Sequence, residues 1–188
     1  GGKEVGFVKG AVAQYVSATG IDQVVENADM RKRGGEKREM TPFFSDIQGF
    51  STISEGLTPE ELVQLLNEYL TAMCDIISSH HGTIDKFEGD AIIAFWGAPL
   101  KLPNHATVAC YATLEMQQRS VELRKMLREQ NRPLLYTRMG LNSGPVVVGN
   151  MGSAERMDYT MMGDVVNLAA RLEGANKFYK TYSMISGS

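Results

Sequence analysis

A regular pattern of apolar and polar positions begins at Met40. Residues 40–45 are mostly apolar and lead directly into Asp46, as expected for a buried strand that ends in a carboxylate. Residues 48–51 follow at once and contain a glycine, which predicts a tight turn from this strand into a helix. The patterned part of the chain therefore opens with a strand and a turn.

A strong helix start follows at Thr58. Thr58 suits the N-cap, Pro59 suits the first helical position, and Glu61 can complete a capping box. Apolar residues then recur at helical spacing as far as Ile77, which predicts a helix with one buried face. Gly82 is expected to end this helix.

The remaining segments alternate between short β-patterned runs and helical runs. They predict strands at 83–88 and 91–96, a long helix from 104 to 127, strands at 135–141 and 145–149, a helix from 164 to 172 that stops before Gly174, and a last strand at 182–185. We interpret each pair of consecutive strands as a hairpin.

The order of these elements predicts an α+β fold. Strand, helix, two strands, helix, two strands, helix and strand fit a mostly antiparallel sheet with helices packed on one face. The split βαβ arrangement, a ferredoxin-like βαββαβ core, fits this order best. Fold class does not identify chemistry, so function has to be argued from particular residues.

Length and charge narrow the class of protein. The chain has 188 residues, of which 43% are hydrophobic, enough for one domain with a real core. Its net charge of -3 gives no field for general nucleic-acid binding, so we expect no nucleic-acid partner. Residues 39–188 are expected to form the domain. Residues 1–38, which end in a charged glycine-containing run, are expected to form an N-terminal linker or transducer segment.

Three polar features are candidates for chemistry. Asp46 precedes a turn whose free amides suit phosphate, although Asp46 could instead only cap a helix. Asp90 opens an apolar strand, where a carboxylate is costly unless it is coordinated, or paired on the surface with Lys86. Asn167 and Arg171 lie four apart on one helix face, suited to a sugar oxygen and a phosphoryl charge or to a solvent-facing stripe.

Four motifs taken together resemble a known family. They are FSDIQGFS at 44–51, DKFEGD at 85–90, MGLNSG at 139–144 and TMMGDVVNLAARL at 160–172. In this order and spacing they resemble the class III adenylate/guanylate cyclase catalytic domain, from residue 40 to about residue 185. The resemblance is to the bacterial-type adenylate cyclases of the subgroup that carries threonine at the second purine-selecting position.

The resemblance implies a two-metal site. Asp46 and Asp90 match the metal-binding aspartates, and the carbonyl of Ile47 matches an extra ligand to one of two divalent ions, Mg²⁺ or Mn²⁺. The same motif places the substrate beside the turn made by Ile47, Gln48, Gly49, Phe50 and Ser51.

The resemblance also implies how the nucleotide is bound. Lys86 matches the lysine directed at adenine N1, and Thr160 matches the second purine-selecting position. Asn167 matches the residue that orients the ribose, and Arg171 the one that stabilises the transition state. In this family the sites lie at a homodimer interface, with Asp46 and Asp90 on one chain and the other four residues on its partner.

The expected activity is conversion of ATP to cyclic AMP and pyrophosphate in intracellular signal transduction. We expect a cytoplasmic domain, coupled to an upstream sensor or membrane domain of a longer protein. Family members usually continue past the last strand with a hairpin whose lysine contacts phosphates; this sequence has no counterpart, so we expect a truncated C-terminus.

Three alternatives compete with this assignment. A guanylate or relaxed-specificity cyclase is disfavoured by Lys86, because guanine N1–H would want a carboxylate. A catalytically silent dimerisation or nucleotide-sensing module is disfavoured because every expected polar position is filled. A palm-type polymerase or diguanylate cyclase also uses paired aspartates, but it lacks the pair formed by Asn167 and Arg171.

Overall fold

The computed structural model of the chain describes residues 34–187. Seven strands and four helices follow in the order β1 Gly34–Ile47, α1 Phe50–Glu55, α2 Pro59–Ser79, β2 Thr83–Glu88, β3 Ala91–Trp96, α3 His105–Glu129, β4 Thr137–Leu141, β5 Gly144–Gly152, β6 Met157–Met162, α4 Asp164–Tyr179 and β7 Ser183–Ile185. Within these described residues, no helix combines the length and apolar character needed to cross a bilayer.

The central sheet has the predicted ferredoxin-like order. Its strands lie side by side as β2-β3-β1-β4-β7, and every neighbouring pair is antiparallel except β4 with β7, which is parallel. β5 and β6 extend the sheet beside the first half of β1. The prediction of an α+β fold with a mostly antiparallel sheet is therefore confirmed.

The predicted second hairpin is wrong. β4 and β5 do not pair with each other; β4 pairs with the second half of β1, from Phe43 to Ile47, and β5 pairs with the first half, from Gly34 to Met40. Both run antiparallel to β1 in one continuous register, and the amide of Asn142 donates to the carbonyl of Pro42 between them. β1 is 14 residues long, so two strands fit end to end along one edge.

The helices cover both faces of the sheet, which corrects the prediction that they share one face. α2 and α3 pack on the face that carries Phe43 and Met139, where the buried Tyr69 and Trp96 belong to the same core. α4 lies on the opposite face. A Cβ added at Gly140 would meet the backbone of this helix only 2.2 Å away, so β4 and α4 touch backbone to backbone.

α4 continues beyond its predicted end. Gly174 lies inside the helix, which runs to Tyr179. Lys180 follows as the C-cap and adopts a left-handed backbone conformation. The buried Asn176 donates from Nδ2 to the carbonyl of Met139 at 2.8 Å and ties the last turns of α4 to the sheet. This tertiary contact outweighs the modest helix penalty of one glycine.

The strands extend further than the apolar pattern indicated. β1 begins at Gly34, so residues 34–38 belong to the sheet rather than to the predicted linker, while residues 1–33 of that linker lie outside the described residues. β6 was not predicted at all, because its residues alternate weakly and, among the strands that the structure describes, it pairs only with β5 at an edge of the sheet. Thr160 lies on this strand.

Candidate active site

Two carboxylates that are 44 positions apart in the chain meet at one end of the sheet. Asp46 is the next-to-last residue of β1, and Asp90 follows Gly89, whose φ of 61° makes the tight turn between β2 and β3. The amide of Ile47 donates to Asp90 Oδ2 at 2.7 Å. Burial raises the pKa of Asp90, and the negative charge of Asp46 raises it further. The structure therefore brings the two predicted metal-binding residues together.

Neither alternative interpretation of these aspartates holds. Asp46 does not cap a helix, because the N-cap of α1 is Gly49 and no side chain caps that helix. In the part of the chain that the structure describes, Asp90 makes no ion pair with Lys86. Its carboxylate is instead held by the amide of Ile47.

Two further charged residues approach Asp46. Arg138 on β4 lies directly opposite Asp46 in the strand register. Glu173 on α4 lies close enough to Asp46 to interact with it electrostatically, and burial, together with the charge of Asp46, raises the pKa of Glu173 to about 8. Sequence reasoning missed both residues. The available signal was an arginine inside the short apolar strand at 137–141, because a charge there requires a partner.

The carboxylate pair fits a divalent cation. Asp46 Oδ1 is buried and has no hydrogen-bond partner among residues 34–187, so one oxygen in this cluster lacks a donor there. Among residues 34–187 no group of three or more histidine, cysteine or acidic side chains is arranged to hold a metal by itself. At nucleotide sites Mg²⁺ is usually bound by one or two carboxylates, and phosphate and water supply the other ligands.

The turn after Asp46 is formed as predicted. Gly49 adopts a left-handed conformation with φ 64°, and the short helix α1 begins at Phe50. The amide of Gln48 is already used, because it donates to the carbonyl of Tyr136 at 2.8 Å. The amides of Phe50 and Ser51 lie in the first turn of a helix, where no intrahelical acceptor exists.

A second group forms where β6 approaches β2. Thr160 Oγ1 donates to Asp85 Oδ2 at 2.6 Å, although the two residues are 75 positions apart. Lys86 is the next residue on β2 and is exposed. Lys86 and Thr160, the two residues predicted to contact the purine, therefore belong to one region of the fold.

Asn167 and Arg171 form a third group on α4. Both side chains are exposed, and their spacing of four places them on one face of the helix. Phe178 lies on the same face and is 83% exposed. In the part of the chain that the structure describes, no hydrogen bond or ion pair connects these residues to Asp46 or Asp90.

The chain resembles known cyclases in sequence and in fold. The model of the adenylate and guanylate cyclase catalytic domain matches residues 34–180. Adenylate cyclase 1 of Rhizobium meliloti is 40% identical over 94% of the chain. The structure of the adenylyl cyclase CyaB from P. aeruginosa is 43% identical, covers 76% of this chain and 74% of its own, and has a TM-score of 0.72.

A guanylyl cyclase is just as similar. The structure of Cya2 is 42% identical over 75% of this chain and 72% of its own, with a TM-score of 0.71. Overall similarity therefore does not separate ATP from GTP. The chain spans about a quarter of the length of Adenylate cyclase 1, 26% of it. The match over residues 34–180 shows that the chain belongs to the adenylate and guanylate cyclase catalytic domain family.

Proposed function

We propose that this chain is the catalytic domain of an adenylate cyclase. In the reaction the ribose 3′-hydroxyl of ATP loses its proton, its oxygen bonds to the α-phosphorus, and pyrophosphate leaves, so that cyclic AMP forms. The observation that carries the proposal is the meeting of Asp46 and Asp90, held by the hydrogen bond from the amide of Ile47.

Asp46, Asp90 and the carbonyl of Ile47 would hold two divalent cations. When bound, such ions lower the pKa of the attacking hydroxyl and neutralise the triphosphate. Arg138, which lies opposite Asp46 on β4, places a positive charge beside the same site. We propose that it attracts the phosphates, together with the amides of Phe50 and Ser51.

The purine-facing residues favour ATP. Adenine N1 is a hydrogen-bond acceptor, which the ammonium of Lys86 can satisfy, whereas guanine N1–H is a donor that would face another donor. Lys86 is exposed, so its ammonium group is accessible to a ligand. Because CyaB and Cya2 resemble this chain equally well, these side chains rather than overall similarity support the choice of adenine.

The complete site is proposed to form between two copies of the chain. Asn167 and Arg171 face solvent, and Phe178 presents a large exposed ring on the same face of α4. An exposed aromatic side chain beside functional polar residues is typical of a contact surface. On a symmetric dimer, Arg171 of one copy would meet charge that develops on the phosphoryl group near Asp46 of the other.

The direct test supplies the purified protein with ATP or GTP in the presence of Mg²⁺ or Mn²⁺ and separates the products. We expect cyclic AMP from ATP, a much lower rate with GTP, and loss of product in Asp90→Asn. Equal or faster turnover of GTP would favour a guanylate or relaxed-specificity cyclase. Binding of nucleotide without any cyclic product would favour the silent sensing module.

A further inference from the structure

The hydrogen bond between Thr160 and Asp85 fixes the direction in which the threonine hydroxyl points. Thr160 Oγ1 is the donor, and Asp85 Oδ2 accepts at 2.6 Å. A hydroxyl group has one proton and two acceptor lone pairs, whereas an ionised carboxylate can only accept. Because the Thr160 hydroxyl proton is donated to Asp85, Thr160 has only its oxygen lone pairs left for a ligand.

A distortion in β2 releases Asp85 for this role. Ile84 is opposite Ala94 and Lys86 is opposite Ile93, so the register shifts between them and Asp85 has no partner on β3. Such bulges re-aim a side chain next to a functional site. Here the released residue reaches across to β6 and binds Thr160.

Two neighbours of Asp85 favour its ionised form. Burial is the largest effect and raises the pKa of Asp85, as do the charges of Asp158 and Glu88, whereas the hydroxyl of Thr160 and the charge of Lys86 lower it. The hydrogen bond itself, in which Thr160 donates, requires that Asp85 Oδ2 carries no proton. Thr160 itself is half-buried, so its hydroxyl is not averaged by free rotation in water.

We propose that Asp85 is a positioning residue that sets nucleotide specificity by committing the Thr160 hydroxyl proton and leaving its oxygen as an acceptor. The inference rests on the proposed function. Without Asp85, a threonine hydroxyl could donate to guanine O6 as readily as it accepts from the adenine amino group. With Asp85 in place, Thr160 suits the adenine amino group and opposes guanine O6, which is another acceptor.

This mechanism makes the two purine-facing residues complementary. Lys86 presents a donor for adenine N1, and Thr160 presents an acceptor for the amino group beside it. Guanine has the reverse order, with an acceptor at O6 and a donor at N1, so it is mismatched at both positions. Asp85 thus supplies the discrimination that a threonine alone would lack.

The experiment compares kcat/KM for ATP and GTP in Asp85→Ala, Thr160→Val and the double variant. Loss of Asp85 is expected to lower the ATP-to-GTP ratio about 10-fold, within the range for a mismatched buried hydrogen bond. In the Thr160→Val background, where no hydroxyl remains, Asp85→Ala is expected to change the ratio no further. Glu88→Gln is the matched control, because it removes an exposed acid of the same strand whose charge raises the pKa of Asp85, and it leaves the hydrogen bond from Thr160 to Asp85 in place.

A merely structural bond between β2 and β6 would lower stability without changing the ratio, so an unchanged ratio in folded Asp85→Ala overturns the proposal. An equal change in both backgrounds also overturns it, because the effect would then act through Lys86. If Asp85→Ala does not fold, Asp85→Leu, which is similar in size and has no acceptor for the Thr160 hydroxyl, must lower the ratio, and displacement of a fluorescent ATP analogue by ATP and GTP reads the same preference without turnover. A wild-type protein that cyclises neither nucleotide contradicts the proposed function instead.

Discussion

Gly140 tests how tightly the sheet and α4 are joined. A Cβ at this position would lie 2.2 Å from the amide nitrogen of Glu173, 2.6 Å from the carbonyl oxygen of Ala169 and 2.7 Å from Glu173 Cα. All three atoms are backbone, so no side-chain rotation relieves the contact. To accept one methyl group, α4 would have to move away from β4 by about 1 Å, since ordinary contacts are longer than about 3.4 Å.

Gly140→Ala is therefore expected to affect both stability and turnover. Overpacking of this kind costs about 1–3 kcal/mol, which lowers Tm by about 2–12 °C for a domain of this size. α4 carries Asn167 and Arg171, and a displacement of about 1 Å in a catalytic group can reduce rate about 100-fold. Thermal unfolding and kcat for ATP measure the two effects.

Gly174→Ala is the matched control, because it makes the same chemical change on α4 itself. Apart from the backbone of α4 itself, an added Cβ at Gly174 meets no atom of the described residues within 4 Å. This variant is expected to gain about 0.5–1 kcal/mol from helix propensity and to keep its kcat. If Gly140→Ala kept both the Tm and the kcat of the wild-type protein, the backbone contact between β4 and α4 would be refuted.

Two further predictions concern charged residues of α4. Arg171→Ala is expected to reduce kcat about 100-fold with a smaller effect on KM. Lys177 is an exposed cation on the same helix, and Lys177→Ala should leave both kcat and KM unchanged. An unaltered kcat in Arg171→Ala would remove Arg171 from the mechanism. Glu173, whose pKa is raised to about 8, keeps its proton in the folded state at pH values where the unfolded chain has lost it. The free energy of unfolding of the metal-free protein should therefore fall as pH rises from about 4.5 to about 8. Urea unfolding at a series of pH values measures this fall, and Glu173→Gln should make it smaller. The same pH dependence in Glu173→Gln and wild-type protein would contradict the contact with Asp46.

The parts of the fold that the sequence predicted are those that local patterns determine. Thr58 caps α2 by accepting from the amide of Glu61, as the capping motif indicates. The apolar stripe located α2, and the Gly89 turn located the hairpin of β2 and β3. Each of these features depends on residues close together in the chain.

The parts that were missed depend on distant contacts. Whether β4 pairs with β5 or with β1 is decided by the length of β1, and the first residues of that strand are polar. The side of the sheet that α4 occupies is decided by the backbone contact at Gly140. Neither feature leaves a periodic signal in the local sequence.

The candidate site divides in the same way. Asp46, Asp90, Lys86 and Thr160 were predicted as site residues because they match motifs of the cyclase family, although β6, which carries Thr160, left no recognisable strand pattern. Glu173 and Asp85 were not identified, since their importance comes only from the partners they meet in the fold. A carboxylate on a helix and one on a strand look like ordinary surface residues until those partners are known.

A site shared between two copies of the chain can be tested by mixing two inactive variants. Asp46→Ala lacks the carboxylate of one half-site, and Arg171→Ala lacks the cation of the other. If each site takes these residues from different copies, half of the dimers formed at random contain one intact site, so the mixture should recover up to about a quarter of wild-type cyclic AMP production. A mixture of folded, dimeric variants that stays as inactive as each variant alone would contradict the account.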